Sequence, residues 1–258
     1  MDRCEDGVSY LVQSYGKGLY VAGEGHASVM PGDYRRDGSK RGLIFGHSRG
    51  GDATQLVAAS SSSYKTMRAL AASLMLPMLG TDAGGTDNWG NATAVTRMGQ
   101  TLSYLRGSAV GASTTDPIIL VAQSMGAPTV LNWARANLTS VAAVVLFIPA
   151  VNITDVHTNN RGDLTASINS AYGGTWSEAA YGATYNPATY AASLAGVPIQ
   201  IWTASDDPIV IPSVVTAFAA AVGPSVEVRN LGALGHTQAA VEAVDVDQVV
   251  SFLLAALS

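Results

Sequence analysis

One cysteine, Cys4, stands in 258 residues, so no internal disulfide can staple this chain. No cysteine pair and no His-x-x-x-His spacing offers a zinc site, and no cofactor motif is present. Charge is also scarce. Only 13% of residues are Asp, Glu, Lys or Arg, and the net charge is −5. The basic residues form no stripe; Arg35-Arg36 and Lys40-Arg41 are too few to read phosphates. Nucleic acid and anionic membranes are therefore not expected partners. Long apolar runs are missing too: the longest, 141–151, is far too short to span a bilayer. The first residues are polar and acidic, without the apolar heart of a signal peptide. The chain is expected to be soluble, cytoplasmic by default, and its oligomeric state is not legible.

What is abundant is apolar surface. At 48% apolar residues the chain can bury a large core and is not disordered. Its length suits one large α/β domain, 1–258. Short apolar runs at 43–45, 74–79, 118–122, 143–148, 198–202 and 226–228 read as strands. The last four look covered on both faces, as in a parallel sheet. Two further runs, at 8–12 and 19–22, flank Gly16-Lys17-Gly18 like a hairpin. Between the strands lie helical stripes: Tyr64, Met67, Leu70 and Leu74; Val95, Met98, Leu102 and Leu105; and 244–257. This alternation predicts a central, mostly parallel sheet flanked by helices on both faces, with ligands at the carboxyl ends of the strands. Residues 149–194 break the rhythm. They are rich in Gly, Ala, Asn, Thr and Tyr, and read as a long irregular insertion that serves as a lid.

Chemistry enters with Ala122-Gln123-Ser124-Met125-Gly126. It follows an apolar run and precedes a helical stretch. A serine on a strained strand-to-helix turn needs small residues two before and two after it, and Ala122 and Gly126 are small. The turn exposes the hydroxyl at a helix N-terminus and aims the Met125 N–H at a developing oxyanion. A rival exists. Gly46-His47-Ser48-Arg49-Gly50 also follows a strand and is a literal G-x-S-x-G. Its other reading is a glycine-rich loop that lends a second oxyanion N–H from Ser48 or Arg49. His47 then has a structural or pocket-lining place.

A nucleophile needs a base and an orienting acid. The chain has four histidines: His26, His47, His157 and His236. His236 follows the last strand and a glycine-rich loop, where it could take the proton of Ser124 and return it to the leaving group. Asp206 and Asp207 compete for the acid. Asp207 precedes Pro208, which holds it extended and fixes its direction, and is favoured. The stretch 82–90 reaches the same edge, and its Trp89 is a candidate pocket wall. Trp176 brings a second large aromatic from the insertion. The tripeptide Arg161-Gly162-Asp163 and the three Asn-x-Thr sequons are chance in a chain this rich in Thr and Ala.

In these parts and their order the chain resembles the α/β-hydrolase superfamily of serine esterases and lipases. The likeness runs from about Leu43 to the end. Phe45-Gly46-His47-Ser48-Arg49-Gly50-Gly51 is similar to the family's His-Gly oxyanion loop, with Ser48 replacing a glycine. The elbow is similar to its G-x-S-x-G, with Ala122 replacing the first glycine. The stretch 205–212 resembles its acid loop and Gly235-His236-Thr237 its histidine loop. The resemblance implies hydrolysis of a small-molecule or lipid-like ester without a cofactor, by Ser124, His236 and Asp207. Thioesters, peptides, acyl transfer and perhydrolysis use the same triad. A silent binding or structural module on this fold is the alternative from another class.

Overall fold

The apolar runs become strands of one sheet, and their alternation decides which helices cover them. The computed structural model describes residues 2–3, 9–15, 25–57 and 65–258. Among these residues the strands are β1 (Asp2–Arg3), β2 (Ser9–Tyr15), β3 (His26–Pro31), β4 (Leu43–Gly46), β5 (Met78–Thr81), β6 (Ile118–Gln123), β7 (Val141–Phe147), β8 (Ile199–Thr203) and β9 (Val226–Asn230). Their order is β1-β2-β3-β5-β4-β6-β7-β8-β9. From β5 to β9 every pairing is parallel; β1, β2 and β3 extend the sheet antiparallel.

Successive side chains of the central strands point to opposite faces. Ile119, Val121, Ala143, Val145 and Phe147 meet one apolar layer, with Met67 and Leu70 of α1 (Lys65–Leu74). Ala240 and Val241 of α9 (Gln238–Glu242) and Val249 and Leu253 of α10 (Val246–Leu257) complete that layer. Leu120, Ala122, Val144, Leu146 and Ile201 meet the other, built by α2 (Ala92–Arg106), α3 (Gly126–Ala136) and α8 (Pro212–Val222). Burying each large aliphatic side chain contributes about 1.5–3 kcal/mol, so both faces hold the sheet between them.

Three expectations are corrected. The strand expected at 74–79 begins after Pro77, because Pro has no N–H for the ladder and Leu74 still belongs to α1. β9 is an edge strand with Val228, Arg229 and Asn230 exposed, not a strand covered on both faces. β2 pairs with β1 and with β3, in register with the latter from Tyr10↔Pro31 to Tyr15↔His26; residues 19–22, on which the expected hairpin rests, lie outside the described residues, as do Cys4 and Tyr64. Finally, residues 149–194 are not irregular. They carry α4 (Ile153–Thr158), α5 (Thr165–Ala171), α6 (Ala183–Tyr185) and α7 (Pro187–Tyr190). These helices are too short to show a stripe, and side chains such as Asn152, which accepts the Asp155 N–H, start them. Among the described residues no helix is long and apolar enough to cross a membrane.

Candidate active site

Ser124 follows directly on β6, near the middle of the sheet, and its backbone is held at φ +49°. A non-glycine residue in this left-handed region is strained and persists only where its surroundings fix it. Here the Ser124 N–H donates to the Phe147 carbonyl on the neighbouring strand, and its own carbonyl accepts from Ala127 and Ala150. The small residues of the elbow serve close approach. A Cβ added to Gly126 would lie 2.2 Å from the Gly46 carbonyl oxygen, so α3 starts in contact with the end of β4. The loop after β4 is thereby pressed against the elbow. Met125 opens the first turn of α3, where N–H groups have no intrahelical acceptor.

Two other loops from the same sheet edge reach Ser124. Its Oγ lies 2.7 Å from His236 Nε2, and His236 Nδ1 lies 2.7 Å from Asp207 Oδ2. The carboxylate is buried. Its other oxygen, Oδ1, accepts the N–H groups of Ile209 at 2.9 Å and Val210 at 2.8 Å. Pro208 has no N–H, so the next two residues supply these donors. Asp206 has a different partner: its Oδ1 accepts the Gly235 N–H at 2.7 Å and ties down the loop that carries His236. The geometry thus brings together Ser124, His236 and Asp207, and leaves Asp206 beside them as a loop anchor. The hydroxyl at imidazole distance is Ser124, not Ser48.

A cavity of about 240 Å³ opens over Ser124 and His236. Trp89, the candidate pocket wall, and Ser48 and Arg49, the candidate oxyanion-loop residues, line it. Gln123, Ile148, Gly162, Leu164, Ile209, Thr237 and Gln238 were not foreseen there. Ile209 carried a signal, since a loop that turns its carboxylate toward the histidine must pass the mouth. Gly162 and Leu164 had none. The residues 149–194 therefore supply part of the wall.

Two expected pocket residues lie elsewhere. His47 is buried below the loop, its Nδ1 2.7 Å from the Ser48 carbonyl and its Nε2 3.0 Å from the Asp82 carbonyl. Trp176 does not line the cavity. It donates to Thr154 Oγ1 at 2.9 Å and packs with Tyr172 and Tyr181. The aromatics of the insertion thus join the apolar layer that covers one face of the sheet, because helices this short need large side chains to bury enough area.

A polar chain joins three elements at the rim. Trp89 Nε1 donates to Ser167 Oγ at 2.8 Å, Ser167 Oγ donates to Asp87 Oδ1 at 2.6 Å, and Arg49 Nε donates to the same oxygen at 2.8 Å. Burial alone would raise the Asp87 carboxyl, but the bonds from Ser167 and Arg49 outweigh it and hold it below the usual range. Among the described residues no cluster of His, Cys, Asp and Glu could hold a metal ion.

A serine hydrolase family model matches residues 106–253, more than half of the chain, and the match includes Ser124, Asp207 and His236. The chain belongs to the serine hydrolase family. No curated protein matches this serine hydrolase by sequence. Its fold is similar to that of the fluorophosphonate-binding serine hydrolase F of Staphylococcus aureus, with a TM-score of 0.72, 13% identity, and coverage of 95% of this chain and 98% of the other. An S-formylglutathione hydrolase of Agrobacterium tumefaciens gives a TM-score of 0.71 at 13% identity, covering 98% and 97%. An esterase of Pyrococcus furiosus gives 0.66 at 14% identity, covering 97% and 94%. At such identities the likeness speaks for the fold alone, and that fold is the α/β-hydrolase fold.

Proposed function

We propose that this serine hydrolase cleaves carboxylic esters of small molecules through an acyl-enzyme, with Ser124 as nucleophile. The observation that carries the reading is the unbroken line from Asp207 through His236 to the Ser124 hydroxyl, both links at 2.7 Å. His236 takes the hydroxyl proton through Nε2 as Ser124 attacks the carbonyl, then gives it to the leaving alcohol. Asp207 fixes the tautomer and stabilises the imidazolium. The oxyanion meets the Met125 N–H and one N–H of Ser48 or Arg49, donors that are fixed in place before charge develops. Water then attacks the acyl-enzyme, with His236 again as base.

A cavity of about 240 Å³ is smaller than common ligand pockets of about 300–1,000 Å³, which favours a short acyl group over a lipase substrate. Residues 149–194 act in this reading as the lid, with Gly162 and Leu164 facing the substrate.

Labelling by a fluorophosphonate probe tests the reading. The wild type should be labelled and Ser124→Ala should not. Loss of label in Ser48→Ala alone reassigns the nucleophile. A folded wild type that takes no label makes the domain a binding module.

A further inference from the structure

Among the described residues the cavity over Ser124 is lined by one residue of the types Lys, Arg, Asp and Glu, Arg49; the rest of the lining is apolar or neutral apart from His236. Among the described residues the Arg49 side chain has one anchor. Its Nε–H edge donates to Asp87 at 2.8 Å, and Asp87 is in turn held by Ser167 and, at 3.3 Å, by Thr86. Arg49 lines the cavity and Asp87 does not, with both side chains partly open to solvent, at 50% and 38%. A guanidinium carries five N–H donors in a planar fork, and anchoring Nε leaves the donors of the two Nη atoms for another acceptor. A neutral ester would leave those donors to water. A carboxylate or similar anion would take two of them in parallel, with geometry that selects for it.

We propose that the substrate is an ester carrying an anionic group, and that the Arg49 side chain is the residue that reads it. This inference rests on the ester-hydrolase reading of Ser124 and deepens it. The Asp87–Ser167–Trp89 chain then has a purpose: it ties the guanidinium to the loop after β5 and to α5, so that the fork is aimed before the substrate arrives. Preorganisation of this kind lowers the ordering cost of a flexible side chain.

The test compares esters of matched size on the full chain. p-Nitrophenyl butyrate is set against the mono-p-nitrophenyl esters of malonate, succinate and glutarate, which carry an acyl-side carboxylate. A second arm sets a neutral aryl acetate against one with a carboxylate on the aryl ring. In one arm kcat/KM should favour the anionic ester by about ten-fold at low salt, the scale of one charge-assisted contact. The advantage should shrink as salt is raised through the range where the screening length falls below about 10 Å. Arg49→Met should collapse the ratio of anionic to neutral kcat/KM, and Arg49→Lys should restore part of it. Hydrolysis of the neutral esters with no anionic advantage in either arm, or a ratio that Arg49→Met leaves unchanged, overturns this inference while the ester reading stands. Turnover of none of the esters by a fluorophosphonate-reactive enzyme overturns both.

Discussion

Replacing Asp207 by Asn alters one atom of a carboxylate, and the surrounding bonds dictate where the change falls. Oδ1 accepts two backbone N–H groups, from Ile209 and Val210, while Oδ2 accepts only from His236 Nδ1. An amide has one acceptor oxygen. It should sit where two fixed donors converge, which turns the NH₂ toward the imidazole. An NH₂ can only donate, so Nδ1 must give up its proton and the ring must carry it on Nε2. That nitrogen then faces the Ser124 hydroxyl with no lone pair to receive a proton. The same exchange in the Ser-His-Asp template costs about 10⁴ in kcat. On the barrier this is about 5.5 kcal/mol. The fold should scarcely notice, since shape and both backbone bonds are kept; Tm should stay within about 4 °C. Asp206→Asn is the matched control. Its oxygen accepts only the Gly235 N–H, which an amide oxygen can also do, so kcat should stay within about three-fold. Turnover of a p-nitrophenyl ester and thermal unfolding provide the readouts. If Asp207→Asn keeps more than about a tenth of the wild-type kcat, or Asp206→Asn falls as far, the tautomer reasoning is refuted.

Two further predictions concern the frame that holds the site. Gly126→Ala forces a Cβ to within 2.2 Å of the Gly46 carbonyl, backbone that cannot swing aside. It should cost about 3 kcal/mol and lower Tm by roughly 6–12 °C, with a loss of kcat as the elbow and the loop after β4 separate; an unchanged Tm would show the contact to be slack. His26 is buried, and burial lowers its pKa to about 4, with Arg97 acting the same way and Asp82 opposing. Its unfolded value is near 6.5, so the native state refuses a proton that the unfolded chain accepts. The stabilisation is complete above about pH 6.5 and is lost as pH falls toward about 4, a swing of up to about 3 kcal/mol. Urea unfolding of the wild type and His26→Gln at pH 7.5 and pH 4 measures it; a stability gap between the two that does not move with pH sinks the claim.

The parts legible in the sequence share a physical cause. Strands buried on both faces must be apolar throughout, so β4, β6, β7 and β8 stood out, and so did the residues at their carboxyl ends. Ser124 and Asp207 stood out because each is a polar residue just past such a run, and His236 because it follows the last β-branched run and a glycine-rich loop. Small residues flank Ser124 because backbone approaches it on both sides, as the contact of Gly126 with Gly46 bears out. β9 misled for the converse reason: its β-branched residues fit a pleat, yet an edge position leaves one side open. Residues 149–194 hid their helices because turns of one or two windings are started by caps and pinned by tertiary aromatic packing, neither of which leaves a periodic stripe. Trp176 was assigned to the pocket for its size, when that size goes into anchoring the segment to the apolar layer over the sheet.

Chemistry and selectivity therefore sit on different supports. The triad stands on loops that leave parallel strands at one edge, from β6, β8 and β9, and parallel pairing alone brings those edges together whatever their order along the chain. Short loops from fixed strands leave little freedom; backbone bonds hold Ser124 and Asp207, and Gly235 N–H to Asp206 holds the loop of His236. The cavity wall is assembled otherwise. Arg49 and Trp89 of the wall are tied to Asp87 and Ser167 by side-chain hydrogen bonds, and one backbone bond, from Gly50 N–H to the Thr86 carbonyl, joins the two loops. Ser167 lies 78 residues from Trp89 and comes from the insertion, not from a loop that carries Ser124, Asp207 or His236. Changes in this chain should thus alter which ester is accepted while the proton line from Asp207 to Ser124 stays intact. Ser167→Ala isolates the difference: it removes the hydroxyl that both fixes Asp87 and accepts from Trp89, and leaves every triad contact in place.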